Sequence, residues 1–359
     1  MSGRIFNAGI VGMGRLGRSA SGGSALVRLP GKFKLAAVAD ILPERLENLP
    51  ENYGNPAKFA TLDEMIEKTD VEIVSILTRH RDHVPMAAKC LEAGRHVYLE
   101  KPCATSVREM EYLKSVIDKT GKKVFFGQVR RYESAFQKTL ELLNKGEIGN
   151  VQFIKLDRAV GFRRRNDWLT MSEHFGGLLT NWGPHLIDQA LMLLGAPVKD
   201  MWADVRRIVC IGDGDDFFKI LLKAENGRTA DVEVTGANVF QAHEMEIIGD
   251  RGTLVYPVDG KIWLKKIDPV IELKDLKPHP ETPSLKYGNF DETLSFVESK
   301  YDVPEIPPSH IWELVYNELA RGEKFQITYE QALNVVKITE EAFRISNFKP
   351  MKQFTSNNA

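Results

Sequence analysis

The chain has 359 residues, with 48 Lys and Arg against 49 Asp and Glu for a net charge of −1. Such a balance offers neither the basic surplus of a nucleic-acid binder nor the polybasic surface of a protein held on anionic membranes. At 43% hydrophobic and 27% charged the composition is that of a globular protein, and the length suits two domains of ordinary size.

The first third alternates strands and helices. Phe6–Val11 reads as a buried strand, followed by a helix over Gly12–Arg28 whose middle, Ser19–Ser24, is poor helix material. Lys34–Ala39 is a second strand. Thr61–Lys68 is a short helix opened by a capping box of Thr61 and Glu64. Val71–Leu77 is a third strand, Met86–Ala93 a helix ended by Gly94, and His96–Leu99 a fourth strand. Ser106–Lys119 is a helix with its own box, Ser106 and Glu109, and Gly121 just past its end; Val124–Gly127 is a fifth strand. This alternation predicts a parallel, doubly wound sheet.

The pattern changes after a helix over Ser134–Lys145. In Arg228–Thr235, Ala230, Val232 and Val234 alternate with Asp231, Glu233 and Thr235, as in an antiparallel strand with one wet face. Trp202–Cys210, Phe217–Ala224, His243–Ile248 and Lys261–Lys266 read similarly, interrupted by a helix over Pro184–Leu194. Residues 278–308 hold six of the 17 prolines and read as a loop. A final helix starts at Thr328 with Gln331 as its box partner and runs to about Ser346. The expected fold is an α/β N-terminal Rossmann domain over 1–127 plus an α+β C-terminal domain over 128–359. The second carries a large, mainly antiparallel open sheet, and its last helix, about 328–346, is expected to pack back toward the first domain.

Cys90, Cys103 and Cys210 are odd in number and share no metal spacing, so no disulfide framework is expected and a reducing cytoplasm is. The N-terminus lacks a secretory pattern, and no stretch approaches the ~20 apolar residues of a membrane span.

Gly12-Met13-Gly14-Arg15-Leu16-Gly17 reads G-x-G-x-x-G between a predicted strand and a predicted helix. The first glycine permits the tight turn, the second lets backbone approach a pyrophosphate, and the third allows helix and strand to pack closely. The helix N-terminus would supply N–H groups for phosphate. Asp40, at the end of the second strand, is placed to accept from ribose hydroxyls. Ile41 and Leu42 follow it, with nothing suited to a 2′-phosphate, so NAD is expected over NADP.

Directly after the fourth strand comes Glu100-Lys101-Pro102, and much later Gly176–Asp188 reads G-G-x-L-x-N-x-G-x-H-x-I-D. With Thr78 and His83, the Gly149–Phe153 entry to the second sheet and the Glu246–Leu254 stretch, the chain resembles the Gfo/Idh/MocA oxidoreductase family (glucose–fructose oxidoreductase, inositol dehydrogenase and relatives) over nearly its whole length. The resemblance implies a nicotinamide enzyme acting on sugars, sugar acids or cyclitols, assembled as a homodimer or homotetramer through the outer face of the C-terminal sheet. The family's Lys falls on Lys101 and its His on His185. The acidic position four residues before that His falls on Asn181.

Cofactor contacts are expected from Gly12, Met13, Gly14, Arg15, Leu16, Asp40, Thr78, Glu100, Lys101 and Gln128. His83, with His80, either lines the nicotinamide ribose or belongs to a surface loop. Oxidising a secondary alcohol needs a base for the hydroxyl proton, and His185 suits it because imidazole titrates near working pH. Lys101 would orient the hydroxyl and aim positive charge at the developing alkoxide, or act as the base. Asn181 can orient a ring but cannot balance an imidazolium. Asp188, one turn beyond His185, either supplies the missing carboxylate or stabilises its helix.

Phe162-Arg163-Arg164-Arg165-Asn166-Asp167-Trp168 is either a solvated loop or a substrate loop, with Arg165 as planar donor and Trp168 as a flat face for a sugar ring. Arg131 is expected near the substrate or the domain junction. His174, His243, His279 and His310 form no ligand spacing, so no metal is expected. The expected function is hydride transfer between a secondary alcohol of a sugar, sugar derivative or cyclitol and NAD, on a small-molecule substrate with no nucleic-acid or membrane partner. Two alternatives stay open: an NAD-recycling glycoside-cleaving enzyme, and a non-catalytic nucleotide-sensing regulator, against which Lys101 and His185 together argue.

Overall fold

A computed structural model describes residues 3–19, 22–161, 164–277, 292–307 and 309–349. Its first sheet is built from short apolar segments buried on both faces, the mark of parallel strands covered by helices. In chain order the elements are β1 (Phe6–Val11), α1 (Gly23–Leu26), β2 (Phe33–Ala39), α2 (Glu44–Glu47), β3 (Ala57–Phe59), α3 (Leu62–Lys68), β4 (Ile73–Ile76), α4 (His83–Glu92), β5 (His96–Glu100), α5 (Val107–Thr120) and β6 (Val124–Gly127). The spatial order is β3-β2-β1-β4-β5-β6, every pair parallel. The chain reverses direction of travel between β1 and β4, which opens a crevice at the strands' carboxyl ends. Both expected caps form: Thr61 and Ser106 accept from the backbone N–H of Glu64 and Glu109, each at 3.2 Å.

The second region runs α6 (Ser134–Asn144), β7 (Val151–Ala159), α7 (Leu178–Asn181), α8 (Gly183–Leu194), β8 (Val198–Arg206), β9 (Phe217–Ala224), β10 (Thr229–Thr235), β11 (His243–Gly249), β12 (Gly252–Pro257), β13 (Lys261–Ile267), β14 (Phe296–Asp302), α9 (His310–Arg321) and α10 (Tyr329–Ile345). Its eight strands lie in the order β14-β13-β12-β11-β7-β10-β9-β8, antiparallel except for the parallel pair β7 and β10. The alternation read in β10 is real: Ala230, Val232 and Val234 are buried in the second core, on the side that α8 covers.

Four expectations change. The helix over Gly12–Arg28 shrinks to the four residues of α1, preceded by a turn in which Arg18 N–H bonds Gly14 O. Gly22 and Gly23 weaken helix there, and a Cβ on Gly23 would lie 2.4 Å from the Tyr53 ring. The strand at Trp202–Cys210 starts and ends earlier, because Asp216 pulls the chain out of the sheet by accepting from Ile208 and Val209 N–H. The loop at 278–308 contains β14, a charged edge strand; its 278–291 stretch and Pro308 lie outside the described residues.

The fourth change is an added helix, α9, in a stretch where no element is expected. Helix α9 sits in the first core, where Trp312 stacks on Tyr98 at 4.9 Å and meets Phe33 edge-on at 5.3 Å. Helix α10 is shared: Ala332 and Val336 join the first core, while Val335, Ile338, Ala342 and Phe343 join the second. The C-terminal segment therefore ties the two regions together. Among the described residues no helix is long and apolar enough to cross a membrane.

Candidate active site

The glycine loop leaves β1 at the crevice. Gly12 has φ +94°, and a Cβ there would lie 2.5 Å from Leu77 O, so only glycine fits. Gly17 is equally constrained, its Cβ position being 2.1 Å from Gly12 O. Gly14 differs: only the Arg45 guanidinium, at 3.6 Å or more, approaches it, so the crest of the loop is open on the side a phosphate would use. Because α1 starts late and is a single turn, the loop residues Arg15 and Leu16, both exposed, precede it by several positions, and no helix N-terminus directly follows the glycine pattern.

Asp40 is buried at the end of β2, where Oδ2 accepts from Met13 N–H at 2.7 Å and Oδ1 from Leu42 N–H at 2.9 Å. It braces the loop through these two bonds. Arg45 Nη1 lies 3.3 Å from the same carboxylate, a cation the sequence analysis overlooked by reading only the two residues after Asp40. The residues present fit the adenosine and pyrophosphate half of a dinucleotide.

At the end of β5, Glu100 and Lys101 are both buried, and the Lys101–Pro102 peptide is cis. Lys101 Nζ donates to Asn181 O at 2.7 Å and to Asn181 Oδ1 at 2.9 Å. Burial pulls its pKa down to about 8; Glu100 opposes that, and Arg130, Arg15 and Arg165 add to it. Asn181 owes its place to α7, whose N-cap, Gly177, has no side chain. Asp215 supplies the cap from a distant loop, its Oδ2 accepting from Leu179 N–H at 2.7 Å. Burial pushes the Asp215 carboxyl up to about 7.

His185 stands in the first turn of α8, 7% exposed, its Nδ1 buried with no hydrogen-bond partner among the described residues. Burial first, then Lys101, Arg130 and Arg158, hold its pKa well below the ordinary imidazole value. No carboxylate contributes. Asp188 faces the other way, gripping Arg131 through both oxygens at 2.6 and 2.7 Å, while Gln331 of α10 accepts from Arg131 Nη1 at 2.8 Å. Asp188 therefore does not replace the acid missing at position 181. Arg131, expected among the substrate residues or at the junction, belongs to the junction: its guanidinium is buried and each of its three nitrogens donates to Asp188 or Gln331.

His83 is also corrected. Its two ring nitrogens lie 2.8 Å from Pro102 O and 3.3 Å from Thr78 O, and it is 1% exposed, so it clamps the end of β4 to the Lys101 turn instead of lining a ribose. Its neighbour His80 holds Phe175 O at 2.8 Å. Gln128 is buried with Oε1 unpartnered among the described residues, and half-buried Thr78 borders the same crevice. Trp168 packs edge-on against His80 at 4.9 Å, and Arg165 bonds Asp167 while lying close enough to act on Lys101. Phe162, Arg163 and His279 lie outside the described residues.

Residues 6–128 match the family described as oxidoreductase family, NAD-binding Rossmann fold, and residues 136–255 match the C-terminal domain of the same family, GFO/IDH/MocA. The chain belongs to the Gfo/Idh/MocA family. It is 23% identical to a myo-inositol 2-dehydrogenase of Thermotoga maritima over 71% of each chain. With a scyllo-inositol 2-dehydrogenase (NAD(+)) of Bacillus subtilis it shares 26% identity over 68% of this chain and 72% of the other. An NAD-binding protein from Listeria innocua has the same fold, with a TM-score of 0.78 at 23% identity over 95% of both chains.

As a Gfo/Idh/MocA protein the chain is an oxidoreductase whose first domain binds NAD. The positions carried over from the family motif, Lys101, Asn181 and His185, converge from β5, α7 and α8. Asp215 and Arg158 were missed. Arg130 and Arg158 lie over the Trp182 ring at 4.3 and 4.4 Å from its centroid. The signal for Arg158 was its inward phase, because it shares its strand face with buried Ile154 and Leu156.

Proposed function

We propose that this Gfo/Idh/MocA protein oxidises a secondary alcohol of a polyhydroxylated ring compound, a sugar, sugar derivative or cyclitol, or reduces the matching ketone. The observation that carries the reading is the buried Lys101 Nζ held by Asn181 near His185, whose pKa burial and the neighbouring cations hold low. The inositol dehydrogenases among its relatives support the substrate class. NAD, when bound, supplies the hydride acceptor; Gly12–Leu16 and Asp40 would hold one half of it, and Thr78, Glu100 and Gln128 the other.

Asn181 aims Lys101 Nζ, and Nζ binds the reacting oxygen. With a pKa of about 8, a useful share of Lys101 is neutral at working pH and takes the hydroxyl proton; its ammonium returns that proton in ketone reduction. His185, too weakly basic to hold a charge in this setting, accepts a hydrogen bond from the substrate and orients it. Proton acceptance thereby passes from His185, where the sequence put it, to Lys101. Arg165 and Trp168 remain the proposed substrate contacts.

Self-association is proposed through the outer face of the second sheet. Trp202 and Leu221 pair across β8 and β9, and Phe153, Trp263 and Phe296 are each at least 41% exposed. Such rows of large apolar side chains on one sheet are the kind that subunits bury.

The test is NADH absorbance on purified protein given NAD and a panel of sugars, sugar acids, glycosides and cyclitols, with product analysis of the same samples. Steady NADH formation that falls at least ~10²-fold in Lys101→Met, with NAD affinity unchanged, supports the reading. Product without net NADH would replace it with redox-recycled glycoside cleavage. NAD binding with neither would leave a regulator.

A further inference from the structure

Trp182 is one turn before His185, with ring centroids 6.0 Å apart, and carries the guanidinium groups of both Arg130 and Arg158 over its ring. Arg158 sits in the row of β7 that also presents Ile154 and Leu156 to the core, with its side chain 26% exposed. Arg130 comes from the turn after β6 and is buried enough that its pKa falls to about 10, with Arg158 contributing.

Each guanidinium has one acid: Arg130 Nη1 bonds Glu133, and Arg158 Nη1 bonds Glu244 at 2.6 Å. Among the described residues neither uses Nε or Nη2 in a hydrogen bond, so each keeps the two-donor edge that matches a carboxylate. The remaining charges are Lys101, bonded to a neutral amide with buried Glu100 acting on it, Arg15, and Arg165, paired with Asp167. At Asn181, where the family pattern has an acid, this chain adds no negative charge. His185 is thus faced by three cations, Lys101, Arg130 and Arg158, whose acidic neighbours are Glu100, Glu133 and Glu244.

We propose that the substrate is an anion: a sugar acid or carboxylated cyclitol whose carboxylate docks on the free edges of Arg130 and Arg158 while its hydroxyl meets Lys101 and His185. A bound carboxylate would also oppose the cations that hold His185 neutral. The inference rests on the alcohol-oxidising reading and narrows it.

The test uses NAD-saturated full-length protein and matched pairs in which a neutral group replaces the carboxylate: methyl glucuronide with methyl glucoside, methyl galacturonide with methyl galactoside, and quinate with its methyl ester. Calorimetric titration should show acidic members binding at least about tenfold tighter than their neutral twins, a preference that Arg158→Gln erases and Arg158→Lys keeps in large part. Neutral twins binding as well as the acids, no acid binding at all, or a ratio unmoved by Arg158→Gln would overturn the proposal. NADH formation is recorded in parallel: acids that bind with the expected ratio but give no NADH count against the dehydrogenase reading and not against the anion site.

Discussion

Replacing Asn181 by Asp restores the charge that the family pattern has at this position, and its effect can be worked out from the two bonds to Lys101. The side-chain oxygen lies 2.9 Å from Nζ. A full negative charge at that distance is worth about 1.4 kcal/mol under bulk-water screening and about 6 kcal/mol at an effective dielectric of ~20, which raises the lysine by about one to four pKa units. Lys101 is 7% exposed, which favours the larger part of that range, so its pKa should climb from about 8 to 10 or above. Alcohol oxidation by wild type should rise with pH and level off above about 8, and in Asn181→Asp that limb should move upward with turnover at neutral pH falling at least ~10-fold. The Lys101 Nζ can be followed directly by nitrogen-detected NMR, its resonance assigned by its loss in Lys101→Met. A titration that stays near 8 in the variant, or a pH–rate limb that ignores the substitution, would refute Lys101 as the proton acceptor.

Three further outcomes follow from the same geometry. Removing one side of the buried Arg131–Asp188 pair should cost about 3–5 kcal/mol in chemical unfolding, whereas Arg131→Met with Asp188→Leu should recover most of it and retain activity; a double variant that is stable but inactive would return Arg131 to the substrate. Asp215 has its folded pKa at about 7, above the ordinary 3.8, so the folded state keeps a proton that the unfolded chain has lost, and stability should decline as pH rises between those values. Asp215→Asn should flatten that decline, and an unchanged profile would show that another group causes it. Asp40→Ser removes the ribose acceptor and frees Arg45 for a 2′-phosphate, so fluorescence titration should show NADH binding weakened by about tenfold and NADPH binding improved; unaltered affinities would place the ribose elsewhere.

Much of the first domain was legible because its signals are local. Buried apolar runs, the two capping boxes and the glycine spacing each act within a few residues, and β1 to β6 formed where those signals stood, β3 apart. What failed was non-local. Helix α9 has an unremarkable amphipathic sequence, and only the cavity beside Tyr98 and Phe33 explains where Trp312 goes. The helix after the glycine loop was overestimated because spacing was read more strongly than the glycines at 22 and 23. In the site, Lys101 and His185 were found by motif, but the choice between Asp188's two roles depended on Arg131, 57 residues earlier in the chain. The arginine pair over Trp182 joins the β6 turn, β7 and α8, and no window of sequence contains it.

The insertion of Trp312 between Phe33 and Tyr98 also sets an order of events during synthesis. A ribosome that has released the first 130 residues has made every strand of the parallel sheet but not the side chains that plug its core. That nascent domain must wait for about 180 more residues, a delay of roughly ten to forty seconds at ordinary elongation rates. Through that interval Phe33 and Tyr98 lack the ring that packs on them in the finished fold, and a truncated first domain expressed alone should be aggregation-prone until α9 is supplied as a separate peptide.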